Sequence, residues 1–327
     1  MEKYDLIIIG SGPAGLTASI YASRYRIKNL VVGKELGGAM ALASAVENYP
    51  GFERISGLEL AQKMAQQVKA LGAEMINDSV IEIQNPKARL AGFLRNAKIQ
   101  NKSKSPLGGI PSECQNSKFK IITENGKEYE TRAVILATGT RRRELGAPGE
   151  KEYLGKGVSY CATCDAAFFR DRVVAVIGGA NAAVMSADHL SRFAKKVYLI
   201  YRRKPLRAEP IWVERVKKNP KIEIIYNTNI VRILGESEFK IQISKSKFQN
   251  KFQIPNSKLE TKEVVGGVEL DKKGFVKVNP DMETNVPGVF AAGDIANLHG
   301  ELQQIVIACA EGAIAAFSVY KYLLRKV

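Results

Sequence analysis

The chain opens on an apolar run, Tyr4-Asp5-Leu6-Ile7-Ile8-Ile9, broken at once by glycine. A short, Ile-rich run bounded by a turn signal predicts a buried parallel strand over 4–9. Leu16 to Arg26 then predicts a helix and Asn29 to Val32 a second strand. Between 57 and 71 the apolar positions Leu58, Leu60, Ala61, Met64, Val68 and Leu71 recur at helical spacing and predict a core-facing helix. Strand patterns follow over 72–83, 119–123 and 129–136, the last two separated by a Glu124-Asn125-Gly126 turn signal. The alternation then repeats: a strand over 173–177, a helix to about Phe193, and strands over 197–201, 222–226 and 230–234. Regular structure is expected again at 274–279 and in Val289-Phe290-Ala291-Ala292-Gly293-Asp294. Gln303-Gln304-Ile305 introduces a final apolar helix reaching Leu324. Strands alternating with helices in this way predict an α/β fold with two βαβ units.

A length of 327 residues suits two domains of ordinary size. No run of about 18 uncharged apolar residues occurs, so no membrane span is expected. Met1 leads straight into the first strand without the charged start and cleavage site of a leader, and a cytoplasmic protein is expected. The net charge of +16 is uneven: residues 86–118 carry seven Lys/Arg against one Glu, and 239–263 carry six Lys against two Glu. Both stretches are rich in Asn, Ser and Gln. They lack the interleaved aromatic platform of a nucleic-acid surface, so they are expected to be basic insertions. Phe119, Phe248 and Phe252 read as ordinary strand residues.

The chemistry concentrates in two motifs. Gly10-Ser11-Gly12-Pro13-Ala14-Gly15 lies between the first strand and helix, the context that gives a Gly-x-Gly-x-x-Gly its meaning. Gly10 makes the tight turn, Gly12 admits a pyrophosphate, and Gly15 lets helix and strand close up, with the anion on the helix N-terminus. Glu35, twenty residues beyond Gly15, is placed to accept a ribose hydroxyl. Gly37 and Gly38 follow the second strand, and two adjacent glycines suit backbone lying flat against a planar ligand. A second unit carries a degraded fingerprint, Gly178-Gly179-Ala180-Asn181-Ala182-Ala183, with Ala180 where glycine gives the closest approach to phosphate. Arg202, Arg203 and Arg207 after its second strand suit a 2′-phosphate, hence NADPH; the alternative is a solvated basic turn. Shortly before this unit stands Cys161-Ala162-Thr163-Cys164-Asp165. Its spacing allows a disulfide across one turn, and a helix N-terminus there would favour a thiolate. Half of a zinc site or two core thiols are the alternatives. Zinc needs four ligands, and Cys114, Cys309, His189 and His299 are not paired at zinc spacing.

Taken together these segments resemble the low-molecular-weight thioredoxin reductase family. The Gly-Ser-Gly-Pro-Ala-Gly opening, Val46-Glu47-Asn48-Tyr49-Pro50-Gly51-Phe52, Ala137-Thr138-Gly139, Cys-Ala-Thr-Cys-Asp, Arg202-Arg203 with Arg207-Ala208, and Ala291-Ala292-Gly293-Asp294 all occur in the family's order. The resemblance implies two Rossmann-like, three-layer dinucleotide-binding domains, the second inserted into the first. An FAD domain would span 1–142 and 266–327, and an NADPH domain carrying the cysteine pair would span 143–265. It implies that Cys164 faces the flavin, Cys161 attacks the partner's disulfide, and Asp165 handles the proton. FAD would be held by the first glycine turn (Gly10 to Gly15), Gly33, Glu35, Gly37, Gly38, Asn48, Gly139, Gly293, Asp294, Gln303, Gln304 and Ile305. NADPH would be held by the second turn (Gly178 to Ala182) with Arg202, Arg203 and Arg207. The implied partner is a thioredoxin-like redox protein, and the implied assembly a homodimer.

The chain departs from the family pattern at several points. Ala180 replaces a glycine, Met185 and Ser186 replace two acidic residues, Gly37-Gly38-Ala39-Met40 replaces Gly-Gly-Gln-Leu, and Gln303 replaces an arginine. Leu259 to Leu270 lacks the Ile-Gly-x-x-Pro-Asn return strand. These changes leave two alternatives: a ferredoxin-like electron donor, or a flavin-binding regulatory protein without turnover.

Overall fold

The computed structural model describes residues 1–84, 119–140, 144–235, 239–244, 267–296, 298–299 and 302–324. Among these, residues from 1–41, 47–140 and 267–324 pack as one unit, and those from 42–46 and 144–244 as another. The expected boundaries at 142/143 and 265/266 lie outside the described residues, as do insertion 86–118 with Cys114, Phe248, Phe252 and most of the missing return strand.

In the first unit, β1 (Glu2–Ile9) lies between β2 (Asn29–Val32) and β6 (Glu128–Leu136), parallel to both, with β3 (Glu74–Ile76) beyond β2. β6 is long enough to take two neighbours on its other side. Its first half pairs antiparallel with β5 (Phe119–Thr123) and its last three residues pair parallel with β12 (Val289–Ala291). β4 (Val80–Gln84) adds to β5 at the edge. The 72–83 pattern thus forms two strands, and 274–279 forms none, contributing only the bridge Leu270–Val276.

The apolar run of β1 is buried on both faces, as a covered parallel strand requires. Leu6 and Ile8 join one core with Ala18, Ala315 and Val319; Ile7 and Ile9 join another with Leu30, Phe119 and Val289. The first core is closed by α1 (Pro13–Arg24) and α6 (Ile305–Leu324). Small residues bring these helices close: a methyl at Gly312 would run into the carbonyl of Ala14. By length and composition α6 would suffice to cross a membrane, yet half of its apolar window is buried inside the protein and it contains the buried Glu311.

Helix α2 (Gly57–Ala70) starts where Ser56 Oγ accepts the Glu59 N–H at 3.1 Å, a cap worth about 1 kcal/mol. Its inward stripe is Leu60, Ala61, Met64, Ala65 and Val68. Leu58 and Leu71, expected on that face, are exposed, because Leu58 sits about 100° round the helix from the stripe that begins at Gly57, and Leu71 is the C-cap.

The second unit has a parallel sheet of β7 (Val173–Ile177), β8 (Lys196–Tyr201) and β9 (Ile222–Tyr226), crossed by α4 (Asn181–Ser191) and α5 (Pro210–Lys218). Val184, Ala187, Leu199, Trp212 and Val216 fill its core. Helix α5 was not expected; its signals are Pro210 at the first turn and Trp212 and Val216 four residues apart. β10 (Asn229–Gly235) and β11 (Phe239–Ser244) form an antiparallel pair, so the second basic stretch begins as a strand. The short helix α3 (Ala162–Asp165) carries the cysteine motif.

Candidate active site

The C-terminal ends of β1, β2, β6 and β12 meet in register at Ile9, Val32, Leu136 and Ala291, the edge where open α/β sheets take ligands. Gly10 leaves β1 at φ +115° and donates its N–H to the Val32 carbonyl at 2.8 Å. A methyl there would strike the Ala137 carbonyl, and one at Gly15 would strike the carbonyl of Gly10. Gly12 differs. It is the N-cap of α1 with no side-chain cap, and a methyl on it would meet only the Gly37 carbonyl oxygen, 3.9 Å away. Backbone N–H groups therefore face a cradle that any side chain at Gly12 would fill, which fits a pyrophosphate.

Neighbouring expected residues converge on this turn. Buried Ser11 donates its hydroxyl to the Glu35 carbonyl at 2.9 Å and accepts the Gly37 N–H at 2.8 Å. Gly33 lies against the Ser11 side chain, Gly38 beside Gly12, and the Glu35 side chain is exposed. Ala14 lies against Gly293. The Asn48 amide donates to the Gln304 side-chain oxygen at 3.0 Å, just ahead of Ile305 at the start of α6. Gly139 has φ +65° with open space around it, and Gln303 is exposed.

A small recess is lined by Gly293, Asp294, His299, Leu302, Gln303 and Glu311, among others. Burial pushes the carboxyls of Asp294 and Glu311 up, the latter against the opposing Gly293 N–H and His299. Glu311 was missed in the sequence; its signal was a single acidic residue within an apolar, small-residue helix. Cys309 is buried, its thiol pushed up by burial, and Tyr49 donates to its sulfur at 3.8 Å.

In the second unit Cys161 and Cys164 form a disulfide with their Cα atoms 5.3 Å apart. Cys161 is the N-cap of α3, its sulfur accepting the Cys164 N–H at 3.1 Å. Ser159 Oγ accepts the Cys161 N–H at 3.0 Å. Cys164 is exposed, and Cys161 and Asp165 are half-buried. The pair is thus closed on itself instead of splayed toward further ligands.

The second glycine turn is open. Gly178 takes φ +141°, a methyl at Gly179 would hit the ring of Tyr201, and exposed Ala180 caps α4 without a side-chain hydrogen bond. The Arg207 N–H donates to the Gly179 carbonyl at 2.6 Å, lacing the arginine loop to the turn. Glu209, unnoticed in the sequence, fixes the same loop: its N–H donates to Asn181 Oδ1 at 2.8 Å and its carboxylate accepts from Asn181 Nδ2 at 3.0 Å. Ala182, Arg202, Arg203 and Arg207 are exposed. An uncapped helix start beside exposed cations fits a phosphate-bearing nucleotide.

The pattern of the pyridine nucleotide-disulphide oxidoreductase family matches residues 4–312. Thioredoxin reductase of Peptoclostridium acidaminophilum is 38% identical over 341 residues, covering 98% of this chain and 97% of that protein. The solved thioredoxin reductase of T. acidophilum superposes with a TM-score of 0.77 at 31% identity, covering 98% of this chain and 99% of that one. A further likeness is the ferredoxin-flavin thioredoxin reductase of Clostridium acetobutylicum, 29% identical with a TM-score of 0.51 over the whole of both chains. The chain therefore belongs to the pyridine nucleotide-disulphide oxidoreductase family, among the thioredoxin reductases.

Proposed function

We propose that this protein is an FAD-dependent thioredoxin-disulfide reductase that draws electrons from NADPH and delivers them to a thioredoxin-like protein through Cys161 and Cys164. The observation that carries the proposal is the disulfide whose Cys161 sulfur already accepts the Cys164 N–H. When bound, FAD supplies a two-electron acceptor that can pass a pair on to a disulfide. The rest falls to the chain. Gly12 and the start of α1 hold the diphosphate, Glu35 takes a ribose hydroxyl, and Asn48, Gln304 and Asp294 orient the remainder. The start of α4 with Arg202, Arg203 and Arg207 holds NADPH.

Two electrons and two protons open the disulfide to a dithiol. The Cys164 N–H then favours thiolate at Cys161, which attacks the partner's disulfide and forms a mixed disulfide as one partner sulfur leaves. Cys164 attacks Cys161 in turn, restoring the internal disulfide and releasing the reduced partner. Asp165, directly after Cys164, takes and returns the proton. The first unit acts here as the FAD domain and the second as the NADPH domain, in a cytoplasmic homodimer with neither membrane nor nucleic acid as partner.

A ferredoxin-like donor is the second reading. It is favoured by the Ala180 methyl at the phosphate turn and by the likeness to the ferredoxin-flavin enzyme. Anaerobic titration with NADPH decides between them. Bleaching of the flavin absorbance with appearance of two thiols supports NADPH; an unchanged oxidised spectrum excludes it.

A further inference from the structure

The loop leading to the cysteine pair is closed by a group with no part in the chemistry so far. Glu150 is 4% exposed, and its carboxylate accepts three hydrogen bonds. The donors are the Leu145 N–H at 2.7 Å, the Gly146 N–H at 2.6 Å and the Tyr160 hydroxyl at 2.8 Å. The loop is fastened elsewhere too. The Ile233 N–H donates to the Pro148 carbonyl at 2.8 Å, and the Tyr153 hydroxyl donates to the Gly235 carbonyl at 2.9 Å. Burying a carboxylate is costly unless donors surround it. Here they come from both ends of the loop, so Glu150 joins its entry to Tyr160, the residue before Cys161.

From Tyr160 the path to the sulfur is short. Ser159 Oγ accepts the Cys161 N–H, and the Cys161 sulfur accepts the Cys164 N–H. The charged groups near this segment are Glu144 and Glu150, which act on Tyr160, Lys151, which pairs with Glu144, and Asp165 on the cysteine turn. We propose that Glu150 is a positioning residue of the redox pair, acting through Tyr160 to hold Cys161 at the cap of α3. This rests on the pair being redox-active. Tyr160→Phe is the cleaner variant, because Glu150 keeps both backbone donors and the loop entry stays closed.

The test is alkylation of the reduced full-length protein by iodoacetamide from mildly acidic to alkaline pH, following Cys161 by mass spectrometry. Only thiolate reacts. Partial loss of a hydrogen bond to a charged sulfur should slow Cys161 in Tyr160→Phe by about threefold or more at neutral pH and shift the profile upward. Glu150→Gln, with one acceptor oxygen fewer, should move the same way. An unchanged profile in either variant, with native circular dichroism, overturns the proposal, and so does a lowered melting temperature with an unchanged profile. If wild-type Cys161 reacts no faster than free cysteine, the redox assignment itself falls and takes the proposal with it; a reactive wild type with unaltered variants sinks the proposal alone.

Discussion

Glu311 accepts the Gly293 N–H at 2.6 Å from a position only 2% exposed within the apolar helix α6. The bond holds the turn that presents Asp294. Because burial raises the Glu311 carboxyl, its protonated form favours the folded state. That contribution is complete below the unfolded pKa and is lost as pH rises through the folded one. Glu311→Gln keeps an acceptor but does not titrate. The stability of wild type relative to Glu311→Gln should therefore fall from mildly acidic to alkaline pH, and thermal melts at both ends check this. Glu311→Ala strands the Gly293 N–H and should cost about 1–3 kcal/mol throughout.

Gly10 and Gly12 should separate folding from binding. Gly10→Ala meets the Ala137 carbonyl at φ +115° and should lower stability by about 1–3 kcal/mol or more. Gly12→Ala meets only one oxygen, at 3.9 Å, so the apoprotein should melt normally while flavin retention drops. Melting curves and flavin absorbance per chain measure both.

Removing either sulfur should abolish thioredoxin reduction while the yellow colour remains. Cys161→Ser should leave a single thiol at the pair, seen by alkylation and mass spectrometry. Asp165→Asn should slow turnover by about a hundredfold, the usual scale for a lost proton-transfer group, with partner KM little changed. Steady-state kinetics with a thioredoxin substrate checks it.

The exposed arginines should set nucleotide choice. Arg202→Ala with Arg203→Ala should raise KM for NADPH about tenfold or more and leave that for NADH nearly unchanged, because only NADPH has the 2′-phosphate to lose contacts. Equal loss with both cofactors would contradict that role.

Local period and glycine placement carried much of the fold. β1, β2, β5, β7 and β9 fall where apolar runs meet turn signals; β1 and β2, buried along most of their length, need little beyond their own residues, whereas β7 leaves Val173 and Ile177 exposed. The cysteine motif was equally plain, because three-residue spacing lets the two sulfurs meet within one turn, as they do in the structure. Distant contacts were not legible. Glu150 looks like any surface acid until Leu145, Gly146 and Tyr160 surround it, and Glu209 becomes meaningful only opposite Asn181. Leu58 failed for the reverse reason: an apolar residue just outside the stripe carries the same letter as one inside it.

The proposed activity depends on electron exchange between a flavin and the Cys161–Cys164 pair. Anaerobic reductive titration of the flavin-loaded protein, compared with Cys161→Ser, tests it most directly. Wild type should take up about four electrons per chain, two at the flavin and two at the disulfide, and the variant about two. Uptake of about two electrons by both proteins, with the wild-type disulfide intact after the flavin is bleached, would contradict it.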